Sequence, residues 1–182
     1  MSSSNLGNHM LKTIGIIGGA SWESTALYYK LINQFMHEQY GGLTSAKILM
    51  YSLNYKPIIE LEQAGKWAEI GKELAGIAKI LQNGGADFVI LCCNTLHKTA
   101  AQIEGAIDIP FLHIADAAGA MLFANHVHKV GLLGTQFTME DGFYSSRLTD
   151  KYQLEVIIPD EADRKYLDSV IYPNFTDIFL KS

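Results

Sequence analysis

Short apolar runs alternate with amphipathic stretches along this chain, and the alternation predicts its architecture. Thr13-Ile14-Gly15-Ile16-Ile17 reads as a buried strand and Gly18-Gly19-Ala20-Ser21 as a turn. Leu27, Tyr28, Leu31, Ile32, Phe35 and Met36 then recur at helical spacing between about Glu23 and Tyr40, with Ser21 or Ser24 as cap and Gly41-Gly42 as stop. Residues 46–52 form the next strand. A helix from Trp67 to Gln82 carries its apolar face on Ile70, Leu74, Ile77, Ala78 and Leu81 and is ended by Gly84-Gly85. The same reading gives strands at 87–92, 111–114, 130–133 and 154–158, with helices at 95–107, 116–125 and 138–152 and a last one from Glu161 to the end.

Strands separated by helices at this spacing define an α/β protein with parallel sheets and right-handed crossovers. Ile14-Gly15-Ile16-Ile17-Gly18-Gly19 is echoed by Val130-Gly131-Leu132-Leu133-Gly134-Thr135, each followed by a polar loop and a helix with paired aromatics. Two similar flavodoxin-like or Rossmann-like halves are therefore expected, at 11–115 and 116–182. The offset from Gly15 to Cys93, applied from Gly131, runs past Ser182, so the second half is expected to be truncated. Residues 1–10, rich in Ser and Asn, are expected to be a disordered leader, with Met10 as an alternative start.

Composition narrows the function classes. With 48% hydrophobic and 18% charged residues, the 182-residue chain can build a substantial core. Its formal charge of −5, with scattered Lys and Arg, argues against a nucleic-acid partner. No apolar run is long enough for a membrane span, and the leader lacks the apolar core of a signal peptide. Adjacent Cys92 and Cys93 are the only cysteines and cannot make a disulfide framework, so a cytoplasmic protein is expected.

Chemistry concentrates where the strand Phe88-Val89-Ile90-Leu91 opens into Cys92-Cys93-Asn94-Thr95-Leu96-His97. The carboxyl end of a parallel strand is where such sheets present a ligand crevice. Cys93 is then either a small core filler or a thiol beside carboxylate donors, Asn94 and Thr95. Cys92 points to the other side of the strand and reads as core. His97 is either a base for Cys93 or a loop hydrogen-bonder. His113 and Asp116 flank the expected boundary, where a structural hydrogen bond and a role in the site are equally open. Gly19 and Ser21 in the first loop, and Ser52 and Asn54 after the second strand, offer further polar groups to the crevice. Cys92, Cys93, His97 and His113 lack metal-site spacing, so no metal is expected, and the first glycine loop is neither a dinucleotide fingerprint nor a P-loop.

Together, Gly18-Gly19-Ala20-Ser21-Trp22-Glu23-Ser24-Thr25 with Tyr28-Tyr29, Cys93-Asn94-Thr95-Leu96-His97, Leu112-His113-Ile114-Ala115-Asp116, and Gly131-Leu132-Leu133-Gly134-Thr135 with Phe137-Thr138-Met139-Glu140 resemble the aspartate/glutamate racemase family, in its aspartate racemase-like branch. The resemblance spans Met10 to about Tyr172. It implies two α/β domains with the site between them, a homodimer, and cofactor-independent racemisation of a small acidic amino acid. Two cysteines would act there, one removing the α-proton as thiolate and the other protonating the opposite face. By resemblance Cys93 is the first cysteine, Asn94 and Thr95 hold the α-carboxylate, Thr135 lies in the cleft, and Gly19, Ser21, Ser52 and Asn54 close on the substrate's other end. His97 and His113 are possible supports. Arg147, Arg164 and Lys165 are candidates for the side-chain carboxylate. The family's second cysteine motif has no counterpart in this sequence, and Pro173 is expected to interrupt the last helix. A binder of acidic amino acids without turnover is the alternative.

Overall fold

The computed structural model describes residues 11–177, with side chains through Ile171. The expected leader lies outside the described residues. The chain divides into two compact units: one joins the chain up to Cys92 with Gln102–Phe111, the other Cys93–Ala101 with Leu112 onward.

The first unit is built on a sheet of order β2-β1-β3-β4, with β1 at Thr13–Gly18, β2 at Lys47–Ser52, β3 at Phe88–Leu91 and β4 at Phe111–Leu112. Strand β1 runs parallel to both neighbours, Ile14 lying opposite Ile48 and Phe88. Because β1 is central, its branched side chains are sealed, and Ile16 and Ile17 are wholly buried. Helix α1 covers Trp22–Tyr40, α2 Tyr55–Gln63 and α3 Trp67–Asn83. The face of α3 expected from its periodicity is the one it buries, through Ile70, Leu74, Ile77, Ala78 and Leu81. Each such large apolar side chain contributes about 1.5–3 kcal/mol relative to exposure. Helix α2 was not expected. Asn54 caps it by accepting the Lys56 N–H, and Pro57 sits in the first turn, where its missing donor costs nothing.

A 3-10 turn at Thr95–Thr99, in the second unit, leads into α4 (Ala100–Glu104), whose residues from Gln102 belong to the first unit; one helix from 95 to 107 was expected. Then come α5 (Ile114–Ala124), β5 (Lys129–Gly131), α6 (Gln136–Glu140), α7 (Ser145–Tyr152), β6 (Glu155–Ile157) and α8 (Glu161–Asp177). The expected helix at 138–152 is divided because Gly142 adopts a φ of 76° between α6 and α7. Helix α8 continues through Pro173 to Asp177 and is not interrupted there; a proline removes one helical donor without obliging the chain to leave the helix. Strands β5 and β6 pair in parallel from Lys129 opposite Glu155 to Gly131 opposite Ile157. The core joins Ala115, Leu148 and Leu154 to Leu122, Tyr144, Tyr152 and Val156. Gly119 makes room for it, since a Cβ there would stand 2.3 Å from the Tyr152 ring.

Each unit thus contains a parallel pair, β1 with β2 and β5 with β6. The architecture is α/β with parallel sheets.

Candidate active site

In the first unit, sheet register brings two of the expected loops together. Gly18 lies opposite Ser52, and the Gly18 carbonyl accepts the Leu53 N–H at 3.0 Å. Gly19 has a φ of +92°, and a Cβ on it would fall 2.2 Å from the Leu53 carbonyl oxygen. Only glycine satisfies both the backbone angle and the approach. Ser21, at a φ of 72°, caps α1: its hydroxyl accepts the Ser24 N–H and donates to Glu23 Oε2 at 2.9 Å. Asn54 caps α2, while Ser52 is exposed. The polar side chains of Ser21 and Asn54 are therefore engaged in holding helix starts. Ser24 donates to the Cys92 carbonyl at 3.1 Å, tying the start of α1 to the end of β3.

In the second unit the remaining candidates converge. Cys93 is half-buried whereas Cys92 is 2% exposed, so the two thiols differ in burial, although both lie past the end of β3 where strand alternation no longer applies. Asn94 is exposed, and its side chain makes no capping bond to the turn that follows. Thr95 is buried, and its hydroxyl lies 3.0 Å from that of Thr135. Thr135 caps α6: its Oγ1 accepts the Thr138 N–H and lies 3.0 Å from the Thr138 hydroxyl. Three hydroxyls, 95, 135 and 138, form one chain. Thr138, the innermost, was not among the expected site residues; its sequence signal was its place in the Phe137-Thr138-Met139-Glu140 segment of the family resemblance.

The histidines are placed with both ring nitrogens in view. His97 Nδ1–H donates to the Cys93 carbonyl at 2.7 Å, and Nε2 accepts the Ile114 N–H at 3.2 Å. This geometry favours the loop-bonding role over that of a base, because the only ring lone pair is already engaged. His113 caps α5 by accepting the Ala115 N–H at Nδ1, and its ring meets that of His97 edge-on at 4.5 Å. Burial, opposed by the bond to the Cys93 carbonyl and assisted by the Arg147 charge, pushes the His97 pKa from 6.5 down to about 4. Burial, then the neighbouring His97 and Arg147, pushes His113 down to about 3.

The three cations considered for a substrate carboxylate all have partners. Arg147 makes a two-pronged pair with Asp116, from Nε to Oδ1 and Nη2 to Oδ2, each at 2.9 Å, and Lys151 joins it on Oδ2. Burial raises the Asp116 pKa, but these two cations outweigh it and bring it to about 2. Arg164 binds Glu140 and the Pro159 carbonyl, and Lys165 binds Glu161. Among the described residues no three His, Cys, Asp or Glu side chains are grouped to hold a metal ion, and no helix is long and apolar enough to cross a membrane.

The second unit therefore presents a half-buried Cys93, an exposed Asn94 and a chain of threonine hydroxyls on an α/β scaffold of parallel sheets. Residues 17–178 match the family model of Asp/Glu/Hydantoin racemase, and the chain belongs to that family. A Yersinia pestis protein solved as a candidate Asp/Glu racemase is 46% identical, with a TM-score of 0.85 over 90% of this chain and 71% of that one. An aspartate racemase homologue from Pyrococcus horikoshii OT3 is 30% identical, with a TM-score of 0.77 over 93% and 73%. The broad specificity amino-acid racemase RacX of Bacillus subtilis is 26% identical over 88% of this chain and 72% of its own length. A glutamate racemase of Streptococcus equi matches 63% of this chain, which spans 47% of that enzyme. These relatives place the chain among the amino-acid racemases, a class of isomerases.

Proposed function

We propose that the chain acts on an acidic amino acid, aspartate or glutamate, with Cys93 as the base that takes the α-proton. The observation that carries this reading is the hydroxyl chain that starts at Thr95, two residues after the half-buried Cys93. Thr138 supplies its N–H to Thr135, so the Thr135 hydroxyl can donate to Thr95, which leaves the Thr95 O–H for a ligand oxygen. Asn94, exposed and not spent on a cap, adds amide donors on the residue next to Cys93. A carboxylate held there would feel these donors more strongly as charge flows onto it from the α-carbon, which is the differential stabilisation that catalysis requires.

In this reaction the Cys93 thiolate breaks the α C–H bond and becomes a thiol, leaving the electron pair delocalised into the carboxylate. A proton delivered from water to the opposite face then gives the enantiomer and leaves hydroxide, which takes the proton from the Cys93 thiol and restores the thiolate. With Cys92 buried, Cys93 is the one cysteine of this sequence open to that chemistry, and inversion calls for a second acid. The same hydroxyls would hold a carboxylate without any turnover, which favours a second reading, an acidic amino-acid binder that keeps the carboxylate cradle.

The test is incubation with L- and D-aspartate and L- and D-glutamate in heavy water, following α-deuteration and optical rotation together. Deuteration with loss of rotation, abolished by Cys93→Ala, is expected. Deuteration with retained configuration would leave Cys93 acting from one face only. Saturable binding with neither change would replace the enzyme with the binder.

A further inference from the structure

We infer that His97 is a positioning residue for Cys93: a neutral imidazole, protonated on Nδ1 alone, that clamps the Cys93 carbonyl to the first amide of α5. The clamp itself is independent of the proposed reaction; its importance for turnover rests on that reading.

The argument begins with hydrogen-bond inventory. A carbonyl accepts and an amide donates, so a ring between the Cys93 carbonyl and the Ile114 amide must donate at Nδ1 and accept at Nε2. Neither an imidazolium nor the other tautomer fits both. The helix end reinforces the choice. The first amides of a helix lack internal partners; on α5 the Ile114 N–H goes to His97 and the Ala115 N–H to His113. Each imidazole therefore has its lone pair aimed at a helix N-terminus, whose partial positive charge opposes protonation. His97 is 1% exposed and His113 2%, so water cannot replace either bond cheaply. The consequence is mechanical. The peptide plane after Cys93 is fixed by a ring that is itself fixed at α5, so the backbone bearing the thiol is tied to a helix rather than left to a loop.

Two substitutions split the clamp. His97→Asn places an amide N–H near the site of Nδ1 and can keep the Cys93 bond; His97→Gln reaches instead toward the Ile114 amide and loses it. The measurements are nitrogen NMR of the ring in the unmodified protein near neutral pH, and alkylation of Cys93 by iodoacetamide followed by mass spectrometry. The ring is expected to show a protonated Nδ1 and an unprotonated Nε2. His97→Asn is expected to hold the Cys93 alkylation rate within about threefold of the unmodified chain, while His97→Gln changes it about tenfold or more. Where α-deuteration is measurable, His97→Gln lowers kcat with KM little changed.

An Nε2–H tautomer or an imidazolium in the unmodified chain would overturn the proposal, whatever the variants do. So would equal effects of the two substitutions in folded protein, since a merely structural ring would not distinguish them. Absence of α-deuteration in the unmodified chain would count against the racemase reading and leave the ring and alkylation measurements to decide the clamp.

Discussion

Glu62 of the first unit and His97 of the second are almost equally hidden, 2% and 1% exposed, yet they meet burial in opposite ways. His97 has a partner on each nitrogen. Glu62 has one at most, the Tyr55 hydroxyl at 3.4 Å, and its Oε1 accepts no hydrogen bond. It shares a face of α2 with wholly buried Ile58, and the other charged side chains of α2 and α3 are exposed. Burial therefore raises the Glu62 pKa to about 7, against a small opposing pull from Tyr55. Between about pH 4 and 7 both groups are mainly neutral, one by keeping a proton and the other by refusing one. What differs is the use of the remaining polar atoms: the imidazole joins two backbone segments, whereas the carboxyl joins almost nothing.

Several changes would break or sharpen this contrast. The largest effect is expected from acid on the second unit. His97 takes up no proton when folded until pH falls to about 4, whereas unfolded it titrates at 6.5. Its contribution is complete above pH 6.5 and is lost as pH falls toward 4, on the order of 3 kcal/mol in total. Hydrogen exchange of peptides from α5, compared at pH 7 and pH 4.5 after correction for intrinsic rates, should show the loss; unchanged protection would refute it. In the first unit, Gly19→Ala forces both an unfavourable φ and a clash with Leu53, and should cost about 3 kcal/mol in urea unfolding.

The carboxyl should behave inversely to the imidazole. Glu62 holds its proton to about pH 7 when folded but only to 4.5 when unfolded, so its support is complete below pH 4.5 and fades as pH rises to 7. Glu62→Gln should then stabilise the chain by roughly 2–3 kcal/mol at pH 8 and by almost nothing at pH 4.5. An equal gain at both pH values would mean that ionisation is not the cause. The smallest effect belongs to Lys66→Ala. Its pair with Glu69 joins side chains that are 54% and 57% exposed, and removal should change stability by under about 0.5 kcal/mol.

What could be read from sequence follows from how local each signal is. The strands at β1, β2 and β3 and the face of α3 were legible because a period of two or 3.6 is written in neighbouring residues. Helix α2 was missed because Lys56-Pro57 looks like a loop, although Asn54 was already a cap in plain view. The residues from Cys93 to Thr95 could be singled out because they are contiguous at a strand end. The bidentate pairing of Arg147 with Asp116, 31 residues apart, and the inclusion of Thr138 in the hydroxyl chain depend on how helices pack. No local pattern encodes either. His97 was recognised as a candidate, but its choice between acid–base and backbone partners needed the position of Ile114.

The contact between Gly19 and Leu53 sets terms for anyone redesigning the first unit. A library that randomises both loops would be filled with misfolded members, since the backbone of one loop occupies the space a side chain on the other would need. Ser52, exposed and flanking that contact, is the position of the four whose side chain is neither buried nor used to cap a helix. Asn54 tolerates only residues that can still begin a helix, which narrows a search across four positions to one open site and one restricted one.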